Sequence, residues 1–96
     1  MKLYDYSEAK NTQLKIQRNI GFEEVIVAIT EDKLLDVISH PNKKKYKNQK
    51  VFIVEIAHYA YLVPFVEDET LIFLKTIIPS RQATKKYLAK VERGLI

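Results

Sequence analysis

The feature that most constrains this chain lies between Lys50 and Ile78, where three apolar runs follow one another with almost no room between them. Lys50–Ala57 stops at His58, Tyr59–Val66 stops at the acidic run Glu67-Asp68-Glu69, and Thr70–Ile78 stops at Pro79. Runs of this length, rich in β-branched and aromatic residues, read as strands. Links this short join antiparallel neighbours, so the spacing predicts a meander. The runs are apolar at nearly every position, which calls for cover on much of both sheet faces. Pro64 has no N–H for the ladder, so a bulge or an outward-facing nitrogen is expected there.

The flanking segments supply the cover. Residues 2–6 read as a short strand. Ser7 is a suitable N-cap for a helix to about Arg18, since its hydroxyl accepts a bond from an orphan backbone N–H. Ala9, Gln13, Ile16 and Ile20 mark a thin stripe on it, with Leu14 beside, and Asn19 suits a left-handed helix end. A second helix is expected over Phe22–Thr30, where Phe22, Val25, Ile26 and Ile29 share one face. Leu34–Ile38 reads as a strand, followed by a polar loop from Ser39 to Asn48. Pro79-Ser80 caps a last helix of about Arg81–Val91, with Ala83, Tyr87, Leu88 and Val91 as its stripe. The expected fold is α+β: an antiparallel meander sheet with two N-terminal helices and one C-terminal helix packed on it, within a single domain of 96 residues.

Charge is unevenly spread. The net charge is +4, but residues 43–50 hold five lysines and no acid. Lys43, Lys44, Lys45 and Lys47 in that loop, and Lys85 and Lys86 on the last helix, form the expected RNA-contacting set, because a clustered basic face suits a polyanion. The plainer reading of such runs is a solvated loop or helix face. The chain has no Cys, which excludes a disulfide framework and thiolate metal sites. No apolar signal core opens it and no window approaches a membrane span, so a cytoplasmic setting without membrane contact is expected.

No phosphate-cradling glycine loop and no nucleophile elbow occur, and His40 and His58 do not have metal-motif spacing. No cofactor and no metal are expected. Cleavage of RNA through its own 2′-hydroxyl needs only a base, cations for the developing charge and a proton donor. Arg81, at a strand-to-helix corner, is the leading candidate, because its planar fork and the nearby helix N–H groups both suit phosphate. The competing role for Arg81 is an ion pair with Glu67 or another acid. Lys75 interrupts an apolar run, and Lys50 opens a strand beside the basic loop; a solvated edge accounts for either equally well. Tyr87 is a proton donor or stacking ring, or a member of the apolar stripe, the commoner home for it. His40, which precedes Pro41 in the polar loop, is a weaker candidate, and Glu55 is read more simply as an ion-pair partner of Lys75 than as a base. Tyr59 and Tyr61 share one strand face.

Three segments resemble the BrnT toxin family, which is grouped with the RelE-like ribonuclease toxins. Tyr6-Ser7-Glu8-Ala9-Lys10-Asn11 looks like that family's Trp-Asp-x-x-Lys-Asn opening. Phe22-Glu23-Glu24-Val25 looks like its Phe-Glu-Glu-Ala. The stretch from Ile77 to Lys86, centred on Arg81, looks like its Ile-Ile-Ser-Ala-Arg-x-Ala-Thr-Arg-Arg. The resemblance implies a RelE-like fold and an endoribonuclease toxin that acts without metal. Its implied partners are an RNA substrate and a cognate antitoxin, in a homodimer or a hetero-oligomer with that antitoxin. Where the family has His-Gly this chain has Arg18-Asn19, so if that histidine is catalytic the resemblance implies that Arg18 takes its role or that the activity differs, and Lys50 falls near the family's basic residue at the start of its sheet. The alternative is a non-catalytic RNA- or protein-binding module of the same fold.

Overall fold

A computed structural model describes residues 2–89. Strand β1 (Leu3–Tyr6) leads through Ser7 into helix α1 (Glu8–Arg18), and helix α2 (Phe22–Thr30) follows at once. Strands β2 (Leu34–Ser39), β3 (Lys50–Ile56), β4 (Tyr59–Glu67), β5 (Leu71–Leu74) and the short β6 (Ile78–Pro79) complete the sheet. Helix α3 (Arg81–Ala83) passes directly into a π-helical turn over Thr84–Leu88. The remainder of the expected last helix, including Val91, lies outside the described residues.

The sheet is mixed, which corrects the antiparallel expectation. Its order is β1-β5-β4-β3-β2, with β6 also paired to β4. The meander β2-β3-β4-β5 is antiparallel, but β1 runs parallel to β5, from Leu3 opposite Leu71 to Tyr6 opposite Leu74. The meander leaves the outer edge of β5 open, and β1 closes it. α1 and α2 then carry the chain over one face to the far edge, where β2 pairs with β3. The arrangement is α+β with helical segments and a mixed sheet of several strands.

Pro64 accounts for the division of the expected Thr70–Ile78 strand. β4 pairs with β5 at Phe65–Glu67 and with β6 at Tyr61-Leu62, and Pro64 sits in the gap between. Its carbonyl accepts the Lys75 N–H at 2.8 Å, but proline has no N–H for the return bond to the Lys75 carbonyl, so the ladder stops at this pair. The chain leaves the ladder after Lys75, and Ile77 turns into the core, fully buried.

Each face of the sheet has its own cluster. On the α1–α2 face, Phe52, Val54, Val63, Phe65 and Leu74 pack against Leu14, Phe22, Val25 and Ala28. On the other, Ile53 and Ala60 meet Ala83, Tyr87 and Leu88. Of the stripe expected on α1 only Ile20, just past the helix, is buried; Ala9, Gln13 and Ile16 are exposed, Ile16 to 80%, and the inward positions of the helix are Leu14 and Asn11. Asn11 joins the two helices, because its Oδ1 accepts the Phe22 N–H at 2.8 Å and its Nδ2 donates to Glu23 at 3.1 Å. Ser7 accepts the Lys10 N–H at 3.2 Å as a cap, and Asn19 ends α1 with φ of 57°.

The β3–β4 turn holds Ala57 and His58 at φ of 52° and 63°. This is the mirror-image turn that matches the twist of a hairpin. It is built here without the glycine or asparagine that usually fills it.

Candidate functional site

The basic loop folds into the wall of a pocket. β2 and β3 end level with each other, Ser39 opposite Lys50, and the His40 N–H extends the pairing to the Gln49 carbonyl at 3.0 Å. Between them the chain turns twice on its own backbone, with Tyr46 N–H donating to the Asn42 carbonyl at 2.9 Å and Gln49 N–H to the Tyr46 carbonyl at 3.1 Å. Asn42 Oδ1 accepts the Lys45 N–H at 3.1 Å. The His40 and Tyr46 rings lie 4.2 Å apart, tilted by 34°. A cavity of about 480 Å³ results, lined by His40, Lys43, Tyr46, Lys47, Lys50 and Glu67 among others.

Two details set its chemistry. The Asn42 N–H donates to His40 Nδ1 at 3.1 Å, so a neutral ring carries its proton on Nε2 and presents a donor there. Glu67 accepts from Lys2 at 2.7 Å and from Lys50 at 3.3 Å. These two ammonium groups hold its carboxyl below the usual carboxylate range. The pocket thus gathers three lysines, one carboxylate held ionised, one imidazole donor and one ring able to stack. Such a set can hold a phosphate, stack a base and give a proton to a leaving oxygen.

Of the residues expected to act on RNA, Lys50, Lys43 and Lys47 line this pocket. Lys44 and Lys45 are exposed on the same loop, with Lys45 Nζ 5.4 Å from the Tyr46 ring centre. The others do not line it. Arg81 opens α3 at the opposite end of β4, where Ser80 N–H donates to the Ala60 carbonyl at 3.0 Å, while Lys50 pairs with Phe65. Five residues of strand at ~3.3 Å each put roughly 16 Å between those two rows. Arg81 is exposed, and no ion pair holds it among the described residues; Glu67, its suggested partner, is taken by Lys2 and Lys50. Ser80 caps the corner by accepting the Ala83 N–H at 3.0 Å.

Lys75 lies just past β5, exposed, with Nζ 5.6 Å from the Phe73 ring centre. The ion pair expected between Lys75 and Glu55 is replaced by His58 Nδ1 at 3.6 Å from Glu55. Tyr87 donates its phenol to Asp36 Oδ2 at 2.7 Å, which raises the phenol's pKa and lowers that of the carboxyl. Lys86, exposed beside it, reinforces the lowering, and Lys85 is exposed on the same turn. Arg18 stands in the last turn of α1, exposed.

His40, Tyr46 and Glu67 line the pocket although no local sequence pattern marks them for it. Their signal was topological: two strand ends in register, Ser39 and Lys50, make everything between them one wall, and Glu67 closes the strand beside Lys50. Compared with known proteins, the chain matches no family model, no curated protein and no solved structure.

Proposed function

We propose that the protein is an RNA endonuclease of the toxin type, cleaving by attack of the 2′-hydroxyl without a metal, and that the pocket beside Lys50 is where it does so. The observation that carries this reading is the convergence of Lys43, Lys47 and Lys50 with the His40 donor edge in one concavity. In this scheme the lysines stabilise the charge that builds on the phosphorus oxygens. His40 Nε2–H donates a hydrogen bond to a phosphate oxygen, the Lys47 ammonium gives a proton to the departing 5′-oxygen, and Tyr46 offers a ring to a flanking base. Glu67 fixes Lys50 and accepts the 2′-hydroxyl proton. A cognate antitoxin that silences the protein by covering this basic wall completes the scheme.

One observation favours a binding-only module instead. A carboxylate held ionised by two lysines is a weak base. A single experiment separates the two readings. Purified protein is incubated with RNA in chelator, and cleavage ends are mapped beside an electrophoretic binding assay. Cleavage leaving 2′,3′-cyclic phosphate, lost in His40→Ala with RNA binding retained, is the expected result. Binding with intact RNA supports the module, and activity that requires magnesium overturns the metal-free scheme.

A further inference from the structure

At the other end of β3 from the basic pocket lies a second concavity of about 370 Å³ with the opposite character. Its floor is apolar: Val27 and Ala28 from α2, Ile56 from β3 and Ala57 from the turn. Its rim is acidic, with Glu23, Glu24, Glu31 and Glu55 against Lys33, although Glu23 is paired with Lys15 at 2.9 Å and Glu55 lies 3.6 Å from His58. Val27 is 53% exposed, an aliphatic side chain left half uncovered in the middle of a helix. The negative end of the α2 dipole also arrives here, and the last turn of α2 contains no basic residue to meet it. An apolar floor, a ring of carboxylates and an uncompensated helix end together select one chemistry, a cation on an apolar body.

We propose that this groove docks a partner protein through a basic amphipathic segment. One aliphatic or aromatic side chain of the partner seats on Val27, Ala28 and Ile56, and a Lys or Arg on either side of it meets Glu31 and Glu55. The chain as a whole carries +4 and repels cations, so a basic segment has reason to settle only where the sign reverses. Lys50 and Ile56 are the two ends of β3, six residue steps or ~20 Å apart at strand rise. A partner held in the groove therefore leaves the basic pocket open. This inference does not rest on the reading of that pocket.

The probe is a short synthetic peptide of leucine and lysine in amphipathic helical spacing, titrated into the isotopically labelled full chain. Its counterpart with glutamate for lysine is the control. Amide shifts are expected at Val27, Ala28, Glu31, Ile56 and Ala57, and not over residues 43–50. Val27→Lys, an exposed site whose substitution removes the anchor and adds repulsion, should weaken the peptide by about tenfold, and Glu31→Lys should do the same while thermal melting stays unchanged. Shifts that map elsewhere, equal binding of the acidic peptide, or undiminished binding to Val27→Lys would each overturn the proposal. So would a concentration-dependent self-association of the chain alone that Val27→Lys abolishes, because the occupant would then be a second copy.

Discussion

Asn11 shows how one buried polar side chain fixes the relation of two helices. It is 3% exposed and satisfies the first N–H of α2, one of the donors a helix start leaves orphaned. It also holds Glu23, which accepts from Lys15 at 2.9 Å. Asn11→Ala strands a buried N–H and should cost about 1–3 kcal/mol in chemical denaturation; a loss under half that range would show that water replaces the amide. The bond from Lys15, then that from Asn11, brings the Glu23 carboxyl down to about 2. Its folded-state pKa lies below its ordinary value, so its contribution is complete at neutral pH and fades as pH falls from about 4.5 towards 2. Glu23→Gln should flatten the acid limb of the stability curve in that window and leave the curve above pH 6 parallel to the parent; an unchanged acid limb would reassign the titration. At the pocket, Lys50 is the lysine closest to a fixed geometry, held by Glu67. Lys50→Ala should lower the proposed RNA cleavage by roughly 10²–10³-fold, the usual cost of one preorganised charge donor, with little change in melting, since Lys50 is exposed. Wild-type rates in that variant would remove Lys50 from the chemistry.

The elements that were legible from sequence are those governed by local rules. Ser7 and Ser80 cap where their hydroxyls reach an orphan N–H, Asn19 turns left-handed, and the three apolar runs form neighbouring strands. What was not legible depended on distant partners. The parallel pairing of β1 with β5 joins residues some 68 positions apart, Leu3 with Leu71, and no periodicity encodes it. The π-helical turn likewise reaches two distant strands through its own side chains. Thr84 Oγ1 accepts the Ala60 N–H at 2.9 Å, and Tyr87 reaches Asp36 at the sheet edge. The candidate site was half legible for the same reason. The lysine run is visible as composition, while the closeness of His40, Lys50 and Glu67 follows from the register of β2, β3 and β4. Local rules also expose an imperfect solution at Ala57-His58. Each residue sits in the left-handed region, which costs a side chain roughly 1 kcal/mol or more. Replacing the pair by Asn-Gly should raise stability by about 1–2 kcal/mol without moving the register. A neutral or destabilising result would mean that the Glu55–His58 contact, 3.6 Å long, contributes more than the turn strain costs.

At the scale of the molecule, the surface is polarised along β3. One end carries the lysines of residues 43–50 and the other the acidic groove, so the +4 net charge understates the field at either. A polyanion approaching such a protein orients before it touches, because attraction at one end and repulsion at the other fix its approach. Affinity gained this way comes largely from release of counterions, and its logarithm falls linearly with the logarithm of salt concentration, by ~0.7 per phosphate contacted on a single strand. Lys43, Lys44, Lys45 and Lys47 are all exposed on one loop, so removing them subtracts phosphate contacts without opening the core. Converting the four to glutamine should reduce the salt slope for a single-stranded oligonucleotide by up to about three, fewer if some lysines face solvent in the complex. The same change at Lys85 and Lys86, on the turn anchored through Tyr87 at the other face, should alter the slope far less. If the second variant reduces the slope as much as the first, the strand runs across both basic regions and the Lys50 pocket is only one station on its path. If neither moves it, the loop is a solvated run and the polarity of the sheet serves something other than a nucleic acid.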